Sequence, residues 1–350
     1  EHGVSLAPHA KTTMCPEIIR RQLDAGAWGI TVASVSQAIA LGADAGSRIL
    51  IANEVVDPAA IAWLNTTLGA SGPTTYCYVD SVEGVERLAA GIDRGILPVL
   101  LEVGIPDGRA GVRTAEEGLR VARKVAETPG LKLVGVGGFE GILGGVERDA
   151  AAERDVRQFL IRLRDLTGEL LRSGLLTPEG EIILTAGGSA YFDLVADELA
   201  RPIDGRAVRV VLRSGCYVTH DHGVYAALSP LREPGHAFRP AIEVVSTVLS
   251  CPEPGLAICD IGKRDVPFDA GLPKVLTIVP GGGGAPRNVA GIELVRLNDQ
   301  HGFLRCATKL EVGDLVTFGI SHPCTAFDKW RVIPIVDDGL RIVELVHTTF

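Results

Sequence analysis

Leu97-Pro98-Val99-Leu100-Leu101-Glu102-Val103 decides the fold class. It is a nearly continuous apolar run with no alternating polar face. That is the mark of a parallel strand covered on both sides by helices. Gly104 closes the run. After a loop, Thr114-Ala115-Glu116-Glu117 offers a capping box, which opens a segment with helical periodicity. Strand, turn and capped helix make one βα unit. Outward from it the same grammar recurs at Val4–Pro8, Gly29–Ala33, Arg48–Ala52, Thr75–Val79, Lys132–Val136, Ile182–Thr185 and Val208–Arg213, giving eight runs in all. Ser34 with Gln37 and Asp80 with Glu83 read as further capping boxes. Asp57-Pro58 reads as an N-cap followed by proline at the first helical position. Eight units in the first two thirds of the chain predict a (β/α)8 TIM-like barrel. An open doubly wound sheet is the alternative with the same grammar.

Beyond about residue 235 the pattern changes. Ala241–Ser250, Lys274–Val279, Gly291–Leu297, Leu315–Ile320, Arg331–Val336 and Arg341–Val346 are β-rich, and no helical period lies between them. Turn clusters at Gly281–Gly284, Asn298–Gly302 and Asp337–Gly339 separate them. This predicts a C-terminal all-β domain, a small barrel or sandwich. The fold class is therefore α/β plus β, with a barrel over 1–232 and a β domain over 233–350. The boundary falls in the Pro/Gly-bearing stretch Ser229–Gly235.

A length of 350 residues agrees with two domains. The net charge of −9 argues against an electrostatic nucleic-acid binder, which carries a basic face. With 46% apolar and 22% charged residues, the composition excludes wholesale disorder. No apolar run reaches the ~18 residues needed to span a membrane. The seven cysteines are scattered without the spacing of a disulfide framework, so a reducing, cytoplasmic location is expected. The chain opens Glu1-His2-Gly3 without a methionine, and Gly3 reads as the cap of an earlier helix. The natural protein is thus expected to begin earlier.

In a barrel of this kind the chemistry sits at the C-terminal ends of the strands. Only seven of the 34 basic residues are lysines. Lys11 lies just beyond a strand's C-terminal end, whereas Lys132 begins one. Lys11, after Pro8-His9-Ala10, is open to two readings: a Schiff-base nucleophile or a solvated surface lysine. Thr185-Ala186-Gly187-Gly188-Ser189 and Arg213-Ser214-Gly215-Cys216-Tyr217 follow the seventh and eighth strands. They are either phosphate-binding loops or ordinary tight turns. Arg109, past the fifth strand, is either an anion contact or a surface ion-pair partner. Ser321-His322-Pro323-Cys324 puts an imidazole and a thiol on one side of an extended segment. Both are zinc ligands, and the alternative is a buried cysteine beside a packed histidine. His220-Asp221-His222 is a rival metal pair, or a brace for the preceding loop.

Pro8-His9-Ala10-Lys11-Thr12, Gly-x-x-x-x-Arg-x-Gly from Gly104 to Gly111, Gly187-Gly188-Ser189, Gly215-x-Tyr217 and Ser321-His322-Pro323-Cys324-Thr325-x-Phe327-Asp328-Lys329-Trp330 occur in this order. With these motifs, nearly the whole chain resembles the D-serine dehydratase and D-threonine aldolase family, pyridoxal-phosphate enzymes of the alanine-racemase fold type. The resemblance implies a barrel followed by a β domain. It implies that Lys11 carries the cofactor and that Arg109 stands beside the cofactor's phenolic oxygen. Gly187, Gly188 and Ser189, with Gly215, Cys216 and Tyr217, would form the phosphate loops. His322 and Cys324 would hold a divalent metal, usually zinc in dehydratases.

The implied activity is dehydration of a D-β-hydroxy amino acid such as D-serine, D-threonine or 3-hydroxyaspartate, giving a 2-oxo acid and ammonia. Cleavage to glycine and an aldehyde is the alternative. A racemase and a non-catalytic cofactor binder rank lower. A homodimer is also implied. Two positions depart from the family. Aldolase relatives tend to carry aspartate where this chain has Cys324, and thiolate favours zinc over manganese or magnesium. This points to the dehydratase. Some relatives place a tyrosine after the sixth strand, where this chain has Phe139-Glu140-Gly141. Glu140 is either a substrate-facing group or a loop carboxylate paired with an arginine.

Overall fold

Eight parallel strands form the first sheet: β1 (Ser5–Leu6), β2 (Ile30–Val32), β3 (Arg48–Glu54), β4 (Thr74–Val79), β5 (Leu97–Val103), β6 (Leu131–Gly138), β7 (Ile183–Ala186) and β8 (Arg209–Leu212). The computed structural model describes residues 3–69, 72–145, 147–176 and 180–350, so Glu1 and His2 of the opening tripeptide lie outside the described residues. The strand order is β1-β8-β7-β6-β5-β4-β3-β2. Short contacts continue β1 toward β2: Trp28 N–H donates to Leu6 O at 2.8 Å and Thr31 N–H to Pro8 O at 2.9 Å. These bonds bring the two ends of the sheet together, as a barrel requires. Ala7, Leu50, Tyr78, Leu100, Ile183 and Val211 form one buried cluster among its strands. Each large aliphatic side chain in such a layer stabilises the fold by about 1.5–3 kcal/mol.

Helices α1 (Pro16–Asp24), α2 (Val35–Leu41), α3 (Pro58–Thr67), α4 (Val82–Ala89), α5 (Ala115–Ala126), α6 (Ala150–Arg172) and α7 (Phe192–Leu199) alternate with the strands. Thr114 and Glu117 form both halves of the expected capping box. Asp57 caps α3 by accepting from Ala60 N–H at 2.9 Å. Ser34 caps α2, but the Gln37 side chain accepts from Ala33 N–H rather than from that of Ser34. One expected cap is displaced. Ser81, not Asp80, caps α4 by accepting from Gly84 N–H. Asp80 accepts from Gly111 N–H at 2.9 Å instead, bracing the loop that carries Arg109.

The second unit is antiparallel. Its strands are β9 (Glu243–Glu253), β10 (Leu256–Cys259), β11 (Lys274–Val279), β12 (Ile292–Leu297), β13 (Gly302–Cys306) and β14 (Leu315–Gly319), in the order β11-β14-β9-β10-β13-β12. A separate hairpin pairs β15 (Val332–Val336) with β16 (Ile342–His347). Val248, Ile278, Leu304, Val316 and Phe318 are core residues of the six-stranded sheet. β10 and β13 have no counterpart in the sequence reading. Pro252, Pro254 and Gly255 make the first look like a turn, and Gly302 hides the start of the second.

The compact units divide between Gly215 and Cys216, ahead of the expected boundary at 232/233. Residues 216–232 lack strand composition, yet their backbone is bound to the β unit. His222 N–H donates to Ile320 O at 2.9 Å, and Ala241 N–H donates to Thr219 O at 2.8 Å. Composition marks where strands begin, whereas hydrogen bonding marks where the unit begins. A further helix, α8 (Val224–Leu228), lies in this stretch.

Candidate active site

Lys11 sits in a single 3-10 turn, Ala10–Thr12, directly after β1. The turn closes through Thr13 N–H to Ala10 O at 3.0 Å, and His9 forms a parallel bridge with Thr31. Burial holds the His9 imidazole well below its ordinary pKa, and the charges of Lys11, Arg213 and Arg109 add to this. The ring is neutral at physiological pH. Its Nδ1 is buried and makes no hydrogen bond among the described residues. Three cations thus converge electrostatically on one neutral imidazole at the strand ends.

Arg109 owes its place to a loop that doubles back on β5. Gly104 N–H donates to Val112 O at 3.0 Å, and Val112 N–H donates to Glu102 O at 2.8 Å. A Cβ on Gly104 would collide with the Ala110 carbonyl, so this return requires glycine. The loop carries the Arg109 guanidinium to 4.6 Å from the Phe139 ring centroid, a cation–π distance.

Gly187, Gly188 and Ser189 follow β7. Two of their amides are already engaged: Gly187 N–H donates to Glu140 Oε2 at 2.9 Å and Gly188 N–H to Glu140 Oε1 at 2.7 Å. Glu140 is fully buried. Its carboxylate oxygens accept from backbone amides rather than from an arginine. Ser214 Oγ donates to Gly188 O at 2.9 Å and ties the two loops together. Gly215 lies against the His9 carbonyl, where a Cβ would stand 2.6 Å from that oxygen.

Two further barrel residues, Arg213 and Glu102, are buried among the strands. Arg213 is buried and locked, donating to Thr185 Oγ1 at 2.6 Å and to Gly138 O at 2.7 Å. Glu102 is buried within β5. Burial pushes its carboxyl up to about 9, and hydrogen bonding and charge from Glu54 push the same way. The signal was present: a glutamate interrupts the apolar run 97–103, and an arginine ends the run 208–213.

In the second unit, Cys216 opens a 3-10 turn, Cys216–Val218, and His322 and Cys324 follow β14. Their ligand atoms all lie within 4.8 Å of one another. Cys216 Sγ is 3.4 Å from Cys324 Sγ. Among the described residues this is the one group of three or more His, Cys, Asp or Glu so placed. Cys216, expected in a phosphate loop, has its sulfur beside Cys324. Tyr217 packs 6.3 Å from the Phe238 ring. The rival pair braces its own loop: His220 Nδ1 is 3.0 Å from Asp221 O, and the Asp221 carboxylate accepts from Gly223 and Tyr225 N–H.

The residues present fit both expected groups. A half-buried amine, a positioned guanidinium and a loop with room only for glycine at 215 suit an anionic aldehyde cofactor. An imidazole grouped with thiol sulfur suits a soft divalent metal.

Residues 3–201 match the family model for the alanine racemase N-terminal domain. The chain belongs to that family. Residues 241–336 match the model described as a putative serine dehydratase domain. The alanine racemase N-terminal family is the fold type III pyridoxal-phosphate family, and the present member is a pyridoxal-phosphate-dependent lyase. A D-threonine aldolase from Arthrobacter sp is 29% identical over 348 residues, covering 97% of this chain and 83% of that protein. The crystal structure of D-threonine aldolase from Filomicrobium marinum superposes with a TM-score of 0.80 at 25% identity, covering 99% of this chain and 88% of that one. D-threo-3-hydroxyaspartate dehydratase from Delftia sp. HT23 gives 0.75 at 22% identity, covering 99% and 90%, and shares the fold.

Proposed function

We propose that this lyase is a zinc-dependent dehydratase of a D-β-hydroxy amino acid such as D-serine, D-threonine or 3-hydroxyaspartate, releasing a 2-oxo acid and ammonia. The observation that carries the reading is Cys324 grouped with His322, a soft donor pair that favours zinc over harder ions.

Bound pyridoxal phosphate supplies the sink for the electron pair left at Cα, and zinc on His322 and Cys324 supplies Lewis-acid assistance to departure of the β-hydroxyl. The chain's residues do the rest. Lys11 Nζ holds the cofactor and, when released, takes the Cα proton. Arg109 Nη groups hold the phenolic oxygen and keep the ring oriented. The loop at Gly187–Ser189 and the backbone at Gly215 flank the phosphate. Neutral His9 adds no further positive charge beside Lys11.

A homodimer in the cytoplasm belongs to the same proposal. The β15–β16 hairpin leaves Val332, Val336, Ile342, Val343 and Leu345 exposed, an apolar ribbon suited to a second copy. All seven cysteines are thiols, as a reducing compartment keeps them.

One observation favours a second reading, an aldolase giving glycine and an aldehyde: the 29% identity to a D-threonine aldolase over 97% of the chain. Product analysis with D-threonine, zinc and an L-threonine control decides. Ammonia and 2-oxobutanoate establish the dehydratase. Glycine and acetaldehyde establish the aldolase and overturn the argument from the thiolate. If neither appears, D-serine and 3-hydroxyaspartate are the next substrates.

A further inference from the structure

Two loops of the β unit are laced together by backbone hydrogen bonds. His222 N–H donates to Ile320 O and Val224 N–H to Ser321 O, each at 2.9 Å. A Cβ on Gly319 would collide with the His222 ring, so glycine lets the loops close to this distance. Asp221, fully buried, accepts from Gly223 and Tyr225 N–H at 2.9 Å and sets the start of α8. That helix start directs Tyr225 to 5.5 Å from the His322 ring and into hydrogen-bond reach of Cys216. Ser321 Oγ donates to Gly271 O at 2.6 Å, and Thr325 Oγ1 donates to Asp269 Oδ1 at 2.9 Å. The segment 321–325 is thus held from the other side as well. This framework places a third donor, Cys216 Sγ, 3.4 Å from Cys324 Sγ and within 4.8 Å of the His322 ligand atom.

We propose that Cys216 is a ligand of the metal, so that the centre is Cys2His rather than a His–Cys pair. The inference rests on the metal reading of the proposed function and deepens it. Three protein ligands leave one position of a tetrahedral ion for an exogenous oxygen. Two thiolates offset the charge of a divalent ion, and their softness selects zinc against manganese and magnesium. Tyr225 is the outer partner that orients the Cys216 sulfur, the role such groups play around metal ligands. Cys216 therefore tunes which metal the enzyme accepts and how many positions that metal keeps open.

The test is zinc-edge X-ray absorption on the holoenzyme after chelation and reloading with zinc. Two sulfur ligands at about 2.3 Å are expected in the wild-type protein. The near-isosteric Cys216→Ser should show one sulfur and bind zinc at least ~100-fold more weakly. One sulfur in the wild type overturns the inference, as does an unchanged sulfur count and zinc affinity in Cys216→Ser. The wild-type count decides even if the variant does not fold. Product analysis on the same sample separates the two readings. Turnover with zinc held through one sulfur keeps the dehydratase and removes Cys216 from the centre. Two sulfurs without turnover of any D-β-hydroxy amino acid keep the centre and remove the activity. A wild type that retains no zinc overturns both.

Discussion

The Glu140 carboxylate accepts the Gly188 N–H at 2.7 Å with one oxygen, while its other oxygen takes the neighbouring Gly187 N–H at 2.9 Å. A buried side chain from the 3-10 turn after β6 thus satisfies two amides of the loop after β7. Glu140→Ala leaves the buried Gly187 N–H and the half-buried Gly188 N–H without their acceptor, at about 1–3 kcal/mol for a fully buried donor and less for the other. Chemical denaturation should show a loss of about 2–5 kcal/mol. Glu140→Gln keeps one acceptor oxygen and should lose about half as much. An unchanged midpoint for both variants contradicts the bracing role.

Lys11→Ala should remove the absorbance of the lysine-bound cofactor and lower kcat by about 10²–10⁴-fold or more. The spectrum and the rate are read on the same preparation. A variant that keeps both places the cofactor on another residue.

Cys324→Ala should keep the absorbance of the lysine-bound cofactor while zinc affinity falls at least ~100-fold and β-elimination is lost. Cys324→Asp should move metal preference toward manganese, because carboxylate suits hard ions. Metal analysis after equilibration with equimolar zinc and manganese checks this. Unchanged zinc content in both variants removes Cys324 from the centre.

Much of the fold is legible in the sequence, because local patterns produced it. The run 97–103 coincides with β5, and 274–279 with β11. Each is bounded by turn residues and has no competing period. β10 and β13 escape because their ends carry Pro254, Gly255 and Gly302, which read as turns. Among the candidate site residues, Lys11 and Arg109 are picked out by the strand-end rule, a local criterion. The partners of Cys216 and Glu140 do not stand out. Cys216 meets Cys324 across 108 residues, and Glu140 meets Gly187 across 47. Where those side chains point is decided by how distant loops pack, and no spacing rule reports it.

The exposed hairpin predicts a concentration-dependent assembly. Ile342 and Leu345 on β16 are 63% and 50% exposed, too apolar a pair for a strand facing only water. Replacing both with lysine should shift the species seen by sedimentation equilibrium toward monomer, with the barrel still folded by circular dichroism. A wild-type monomer, or a dimer indifferent to the change, places the interface elsewhere or nowhere.

Glu102 makes stability depend on pH in a direction opposite to that of a surface carboxylate. In the unfolded chain its carboxyl titrates near the ordinary 4.5, and in the folded barrel burial and Glu54 push it up to about 9. Between those values the folded state holds a proton that the unfolded state has released. Raising the pH therefore draws the equilibrium toward unfolding. The contribution is fully present below the unfolded value and is lost as pH rises toward the folded one. Glu102→Gln imitates the protonated side chain and removes this dependence. The variant should match the wild type in Tm at about pH 5 and exceed it by several degrees at about pH 9. Parallel Tm curves over that range would show that Glu102 is ionised in the folded protein and that its neighbours accommodate the charge.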